Sequence, residues 1–261
     1  MNPREILDNL SVAWSQIVDA TWGRVETWLQ DNSYDSTLAD VPDTVIMLLV
    51  TAALVLSLHG GIYRAVLGYA VTFVHELGHA LAGLTVGHRV QGLRINKDLS
   101  GETFTSGGGL LQSTWITWWG YPFPALMGNI MIVCAYNGWT RIAFILLMVS
   151  LVGTFVISQG LTTVLVVVTG WSTIAMMLAW APPMLVNMLG LALGLILIAG
   201  AVRMIFVVLN AHITREGVEQ SDAYALGRRT LIPGILWALA MLAFILWMAW
   251  SSLSRLYLSI S

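Results

Sequence analysis

VTFVHELGHALAGL, residues 71–84, is apolar enough for a membrane span, yet His75, Glu76 and His79 interrupt it at its centre. Hydrocarbon is where such groups are most costly. Insertion scales put a lone carboxylate at mid-bilayer at about 2.5–3.5 kcal/mol, and ionisable residues inside spans usually mark functional sites. On a helix, residues four apart project from nearly the same face, so His75 and His79 can present two imidazoles to one cation. Glu76 lies about 100° round and can reach a water without binding the cation itself. This is the HExxH arrangement of zinc hydrolases, with two histidine ligands and a glutamate general base. A divalent cation also relieves the burial problem: it keeps Glu76 ionised and the imidazoles neutral, and it lowers the pKa of a bound water towards 7. The bland alternative is a polar network between helices. Such networks contribute little and do not require this spacing.

Composition agrees with a membrane setting: 57% of the 261 residues are hydrophobic and 10% are charged, and the mean hydropathy is +0.77. Long, nearly uncharged runs recur, each close to the roughly 20 residues a helix needs to cross about 30 Å of hydrocarbon. The formal charge of -2, with no dense basic block, excludes a nucleic-acid partner. The single cysteine, Cys134, cannot form an intrachain disulfide and reads as a packing residue. No basic patch, apolar core and small-residue cleavage site open the chain, so the expectation is a start that is not removed as a signal peptide.

The fold class expected is an all-α polytopic membrane protein of about six to seven spans, with an amphipathic N-terminal helix and a small β-hairpin near the site. Residues 5–30 gather Ile6, Leu10, Trp14, Ile17 and Trp28 on one helical face, as in a helix lying in the membrane surface. A helix that contacts a partner protein or a second copy of the chain is the alternative. DNSYDSTLADVPD, residues 31–43, reads as a connector. The domain division is therefore 1–43 and 44–261. Spans are expected at about 44–60, 65–86, 114–136, 142–158, 161–181, 183–209 and 231–252, with Gln159-Gly160 the weakest break. If seven spans alternate strictly, Arg4, Arg24, Arg89, Arg94, Lys97, Arg215, Arg228 and Arg229 fall on one side and Arg64, Arg141 and Arg255 on the other. By the positive-inside rule this puts the N-terminus and the loops of the site in the cytoplasm, for a multi-pass protein of the plasma membrane. Arg203 would snorkel to the same face.

A catalytic zinc needs a third protein ligand and one open position. The polar stretch 210–229 offers His212, Glu216, Glu219 and Asp222. HELGHALAGLTVGHRV, SGGGLLQ, WGYPFPALMGN and SDAYALGRRTLIPGILW together resemble successive landmarks of the site-2 protease family of zinc intramembrane metalloproteases, most closely its small bacterial branch of related peptidases. The likeness extends over about residues 66–240. In that family the third ligand is an aspartate from a distant helix, commonly within Leu-Asp-Gly. This chain lacks the tripeptide, and the resemblance implies Asp222 in its place, with His212 as second choice. Ser221 reads as the N-cap that starts the helix carrying Asp222.

Between Arg89 and Gly107 the pattern alternates around the turn-like NKDLSG, as in a hairpin. Such an element beside a zinc site can accept an unwound substrate as an added strand, with Phe104, Gly107 and Gly108 close to it. Pro122 and Pro124 should disturb the start of the third span, and Asn129 is a candidate donor to a substrate carbonyl. His59 and His88 lack partner spacing for a metal. The function these readings imply is zinc-dependent cleavage of membrane-spanning or membrane-associated polypeptides, with Glu76 as base. The rivals are an inactive protease-like scaffold or chaperone, whose zinc would have a fourth protein ligand, and an ion- or proton-coupled transporter.

Overall fold

Apolar runs inside lipid satisfy their backbone groups only as helices or closed barrels, and the chain adopts the first solution. The computed structural model describes residues 43–62 and 67–260, with Val12, Gln16 and Asp19 before them. The chain divides into two compact units, Met1–Asp35 and Ser36–Ser261. The expected surface helix over 5–30 lies outside the described residues, except that Val12, Gln16 and Asp19 are helical and exposed. The connector up to residue 42 lies outside them too.

The second unit contains α1 (Asp43–Leu58), a short helical turn (Gly60–Ile62), α2 (Gly68–Thr85), β1 (Arg89–Ile95), β2 (Gly101–Ser106), α3 (Leu110–Trp118), α4 (Pro122–Tyr136), α5 (Thr140–Ile157), β3 (Ser158–Gln159), α6 (Leu161–Trp180), α7 (Pro183–Thr214), a 3-10 turn (Val218–Gln220), α8 (Asp222–Thr230) and α9 (Gly234–Ile260). Among the described residues, α5, α6, α7 and α9 are long and apolar enough to cross a membrane, and α1 and α4 are shorter apolar helices. The protein is thus an all-α membrane protein with one small sheet.

Local chemistry explains the boundaries. Helix α2 ends where Gly87 takes φ +78° and the His88 N–H returns to the Gly83 carbonyl, a left-handed exit suited to glycine. The hairpin follows as expected. Strand β1 pairs antiparallel with β2 across a bulge between Val90 and Gly92. The expected weak break at Gln159-Gly160 is a real one, and Ser158 and Gln159 add an unforeseen parallel strand, giving the order β2-β1-β3.

The expected single span over 114–136 is two helices. Pro122 lacks an N–H and starts α4, where the missing donor is harmless. Before that break α3 runs back along α2: Gln112 Nε2 donates to the Val86 carbonyl, Trp115 Nε1 to Thr85 Oγ1, and the Ile116 carbonyl meets His79. This reversal alters the relation of later helices to earlier ones. Strict alternation of seven spans makes α1 and α7 antiparallel. Instead, Ile46 near the start of α1 shares a core with Met184, Met188 and Leu191 near the start of α7, while Arg203 further along donates to the carbonyl of Ser57 at the end of α1. The two helices run the same way, so the charge count based on alternation loses its basis. Helix α4 packs antiparallel on α7, with Gly128 against Gly194 at backbone-close range, and Thr140 at the start of α5 sits against Gly190.

Candidate active site

Helix geometry brings His75 and His79 to one face of α2, and α8 delivers Asp222 to the same point. The Nε2 atoms of the two histidines are 3.2 Å apart. Asp222 Oδ2 lies 3.2 Å from the first and 3.3 Å from the second. A tetrahedral zinc with bonds of about 2.0–2.1 Å needs ligand atoms roughly 3.3 Å apart, so this triangle has the size of one face of its coordination shell. The donors suit the ion as well. The His79 Nδ1–H donates to the Ile116 carbonyl at 2.8 Å, which fixes the tautomer and turns the Nε2 lone pair towards His75 and Asp222. The Nε2 atoms of His75 and His79, facing each other beside a carboxylate oxygen, form a site for a cation. Among the described residues, this is the one group of histidine, cysteine and acidic side chains arranged to hold a metal.

Three further features hold the triangle. Ser221 caps α8 by accepting from the Tyr224 N–H at 3.2 Å, so Asp222 is the first residue of an ordered helix. The Tyr121 ring packs edge-on against His75 at 4.7 Å. Gly120 lies so close that a Cβ there would collide with Asp222 Oδ2 and the His79 imidazole.

Glu76 is buried beside the triangle, its Oε1 4.0 Å from His75 Nε2. Strand β2 controls its other oxygen: the Thr103 hydroxyl donates to Oε2 at 2.7 Å and lies 3.1 Å from the Glu76 carbonyl. Gly101 has no side chain where one would strike the carboxylate. The hairpin is fastened along α2 by the Thr72 hydroxyl, which donates to the Leu99 carbonyl at 3.0 Å, and by Tyr69, which donates to that of Lys97 at 3.2 Å. Within the turn, the Ser100 hydroxyl and N–H hold the Asp98 carboxyl below its ordinary range.

A cavity of about 570 Å³ opens beside these groups, lined by the triangle, Glu76, the inner side of β2 and Arg229. Phe104 and Gly107 line it; Gly108 is outside its lining, with open space around it. His88 also lines it and sits 3.3 Å from Gln112 Oε1. Asn129 is elsewhere. Its amide bridges α4 to α9, donating to the Met248 carbonyl at 3.2 Å and Ser252 Oγ at 2.8 Å. His212 bonds its own helix at the Val208 carbonyl, and Glu216 and Glu219 are exposed. None of the three joins the metal-capable group. Sequence reasoning missed Thr103, Gly120, Tyr121, the Ile116 carbonyl and Arg229, which donates to Thr117 Oγ1 at 2.8 Å. Of these, Gly120, Tyr121 and Arg229 stand within motif stretches already singled out and Thr103 within the hairpin segment, but sequence alone gives none of them a role at the site.

Comparison with protein-family models matches residues 46–252 to the one described as Peptidase M50B-like. No curated protein and no solved structure gave a match.

Proposed function

We propose, from the premise that this chain belongs to the Peptidase M50B-like family, that it is a zinc-dependent intramembrane endopeptidase acting on membrane-spanning or membrane-associated polypeptides. The observation that carries the reading is the triangle of His75, His79 and Asp222 with Glu76 beside it and a cavity in front. His75, His79 and Asp222 would hold the zinc. When bound, zinc supplies a Lewis acid that polarises a carbonyl and acidifies water.

The remaining chemistry belongs to the chain. Glu76 Oε1 faces the triangle and takes the proton of the attacking water, then returns it to the leaving amine. Thr103 keeps the other carboxylate oxygen engaged, so that Oε1 stays directed at the reacting centre. The outer edge of β2 is unpaired among the described residues, and its cavity side supports the addition of an extended substrate segment that satisfies backbone groups in a poorly hydrated setting. No fourth histidine, cysteine or acidic residue joins the group among the described residues. That favours catalysis over the closed sphere of a structural zinc. The test is Glu76→Gln in purified protein: it should retain zinc and lose cleavage of a membrane-spanning substrate, and parental cleavage by this variant would refute the assignment.

A further inference from the structure

The carboxylates that line the active-site cavity are all engaged. Glu76 accepts from Thr103, Asp222 sits against the two imidazoles, and Glu102 faces Arg94 at 3.9 Å. Arg229 lines the same cavity and differs from them. Among the described residues its one hydrogen bond goes to the neutral Thr117 hydroxyl at 2.8 Å, and no carboxylate pairs with it. A guanidinium carries five N–H donors in a planar fork, so most of this one is open to a ligand.

The fold fixes where that charge stands. Asp222 and Arg229 are seven residues apart on α8, close to two full turns, so they leave the helix on nearly the same side with a rise of roughly 10 Å between them. Thr117 then tethers the guanidinium to α3, one residue after the Ile116 carbonyl that meets His79. Arg229 is exposed but held at the cleft. The cavity is also lined by β2, the edge to which an extended substrate adds in the proteolytic reading. Such a chain advances about 3.3 Å per residue, so the way from the metal ligands to the guanidinium covers about two to three residues.

We propose that Arg229 selects the substrate, binding the carboxylate of an Asp or Glu side chain two to three residues to one side of the scissile peptide bond. This rests on the proteolytic reading of the site. Charge decides for a carboxylate. Glu76 and Asp222 balance a divalent ion, Arg94 balances Glu102, and Arg229 remains as one uncompensated positive charge. In a polypeptide, Asp and Glu supply the anion that matches a guanidinium in both charge and shape, and a basic residue in the same place is rejected by like charge.

The test uses the zinc-loaded full-length protein in nanodiscs and capped synthetic peptides with a Leu-Ala span interrupted by Asn-Gly, in which Glu, Gln or Lys is placed at each position around the interruption in turn. Glu76→Gln protein, which keeps the metal ligands and leaves peptides uncut, reports binding, and the parent reports cleavage. Glu should exceed Gln by about fivefold or more, the upper range for exposed ion pairs, at one or two adjacent positions on one side. Lys should rank below both, and added salt should shrink the difference. Arg229→Gln should remove the preference at unchanged zinc content. Arg229→Glu should turn it towards Lys, a reversal that a packing role would not produce. Arg228→Gln, at a neighbouring exposed arginine outside the cavity lining, should keep it. Glu bound no better than Gln, a preference that survives Arg229→Gln, or one lost equally in Arg228→Gln overturns the proposal. Cleavage without acid preference refutes the role of Arg229 and leaves the proteolytic reading intact. Acid preference in binding with no cleavage by the parent refutes proteolysis and leaves the carboxylate site standing.

Discussion

Gly120→Ala should cost the protein its metal without changing a ligand. The added methyl falls on Asp222 Oδ2 and the His79 imidazole, two corners of a triangle whose sides are 3.2–3.3 Å. Gly120 is not among the glycines at positive φ, so the effect is steric. One methyl forced into a closely packed place costs about 1–3 kcal/mol. Relief means moving one of the two ligands, so the penalty appears in metal affinity. Every 1.4 kcal/mol is tenfold, which gives a loss of roughly 5- to 150-fold in zinc affinity. The assay is titration of metal-free protein against a chromophoric zinc chelator, with thermal unfolding of both forms alongside. Gly108→Ala is the control, since nothing lies within 4 Å of a Cβ there. A folded Gly120→Ala protein with the parent's zinc affinity refutes the reasoning.

Thr103→Val should lower kcat by about 10- to 150-fold at constant zinc content, the loss of a hydrogen bond to a charged group worth about 1.5–3 kcal/mol; Thr103→Ser should restore most of it, and rates from a cleaved membrane substrate report both. Asn129→Leu should destabilise by about 1–3 kcal/mol through its lost bonds to α9 and leave kcat unchanged, as denaturant titration and a rate assay will show. His212→Gln should leave zinc stoichiometry at the parental value by elemental analysis, because that histidine lies outside the triangle.

The parts of this protein legible in the sequence are those governed by local rules. The spacing of His75 and His79 fixes their common face, the NKDLSG turn fixes a hairpin, and Ser221 marks a helix start. Asp222 was reachable only through the family resemblance, since nothing local distinguishes it from Glu216 or Glu219. The third span misled because hydrophobicity runs unbroken through WITWWGYPFPALMGN, and an apolar segment reads alike whether it crosses or doubles back. Pro122 and Pro124 signalled a disturbance without its direction. Thr103 and Gly120 were invisible for another reason. A hydroxyl and an absent side chain acquire roles only from what the tertiary fold sets against them, at sequence separations of 27 residues for Thr103 and Glu76. Asn129 is a candidate substrate donor from sequence alone, where a helix-bridging asparagine is the commoner arrangement; the fold has it bridge, with partners on α9 that are 119 and 123 residues away.

Zinc K-edge absorption of the purified full-length protein, compared with Asp222→Ala, probes the proposed centre most directly. Stoichiometric zinc bound by two imidazoles, one carboxylate oxygen and one water is the predicted spectrum, with the carboxylate shell lost in the variant. A preparation that binds no zinc, or a spectrum unchanged by Asp222→Ala, would contradict it.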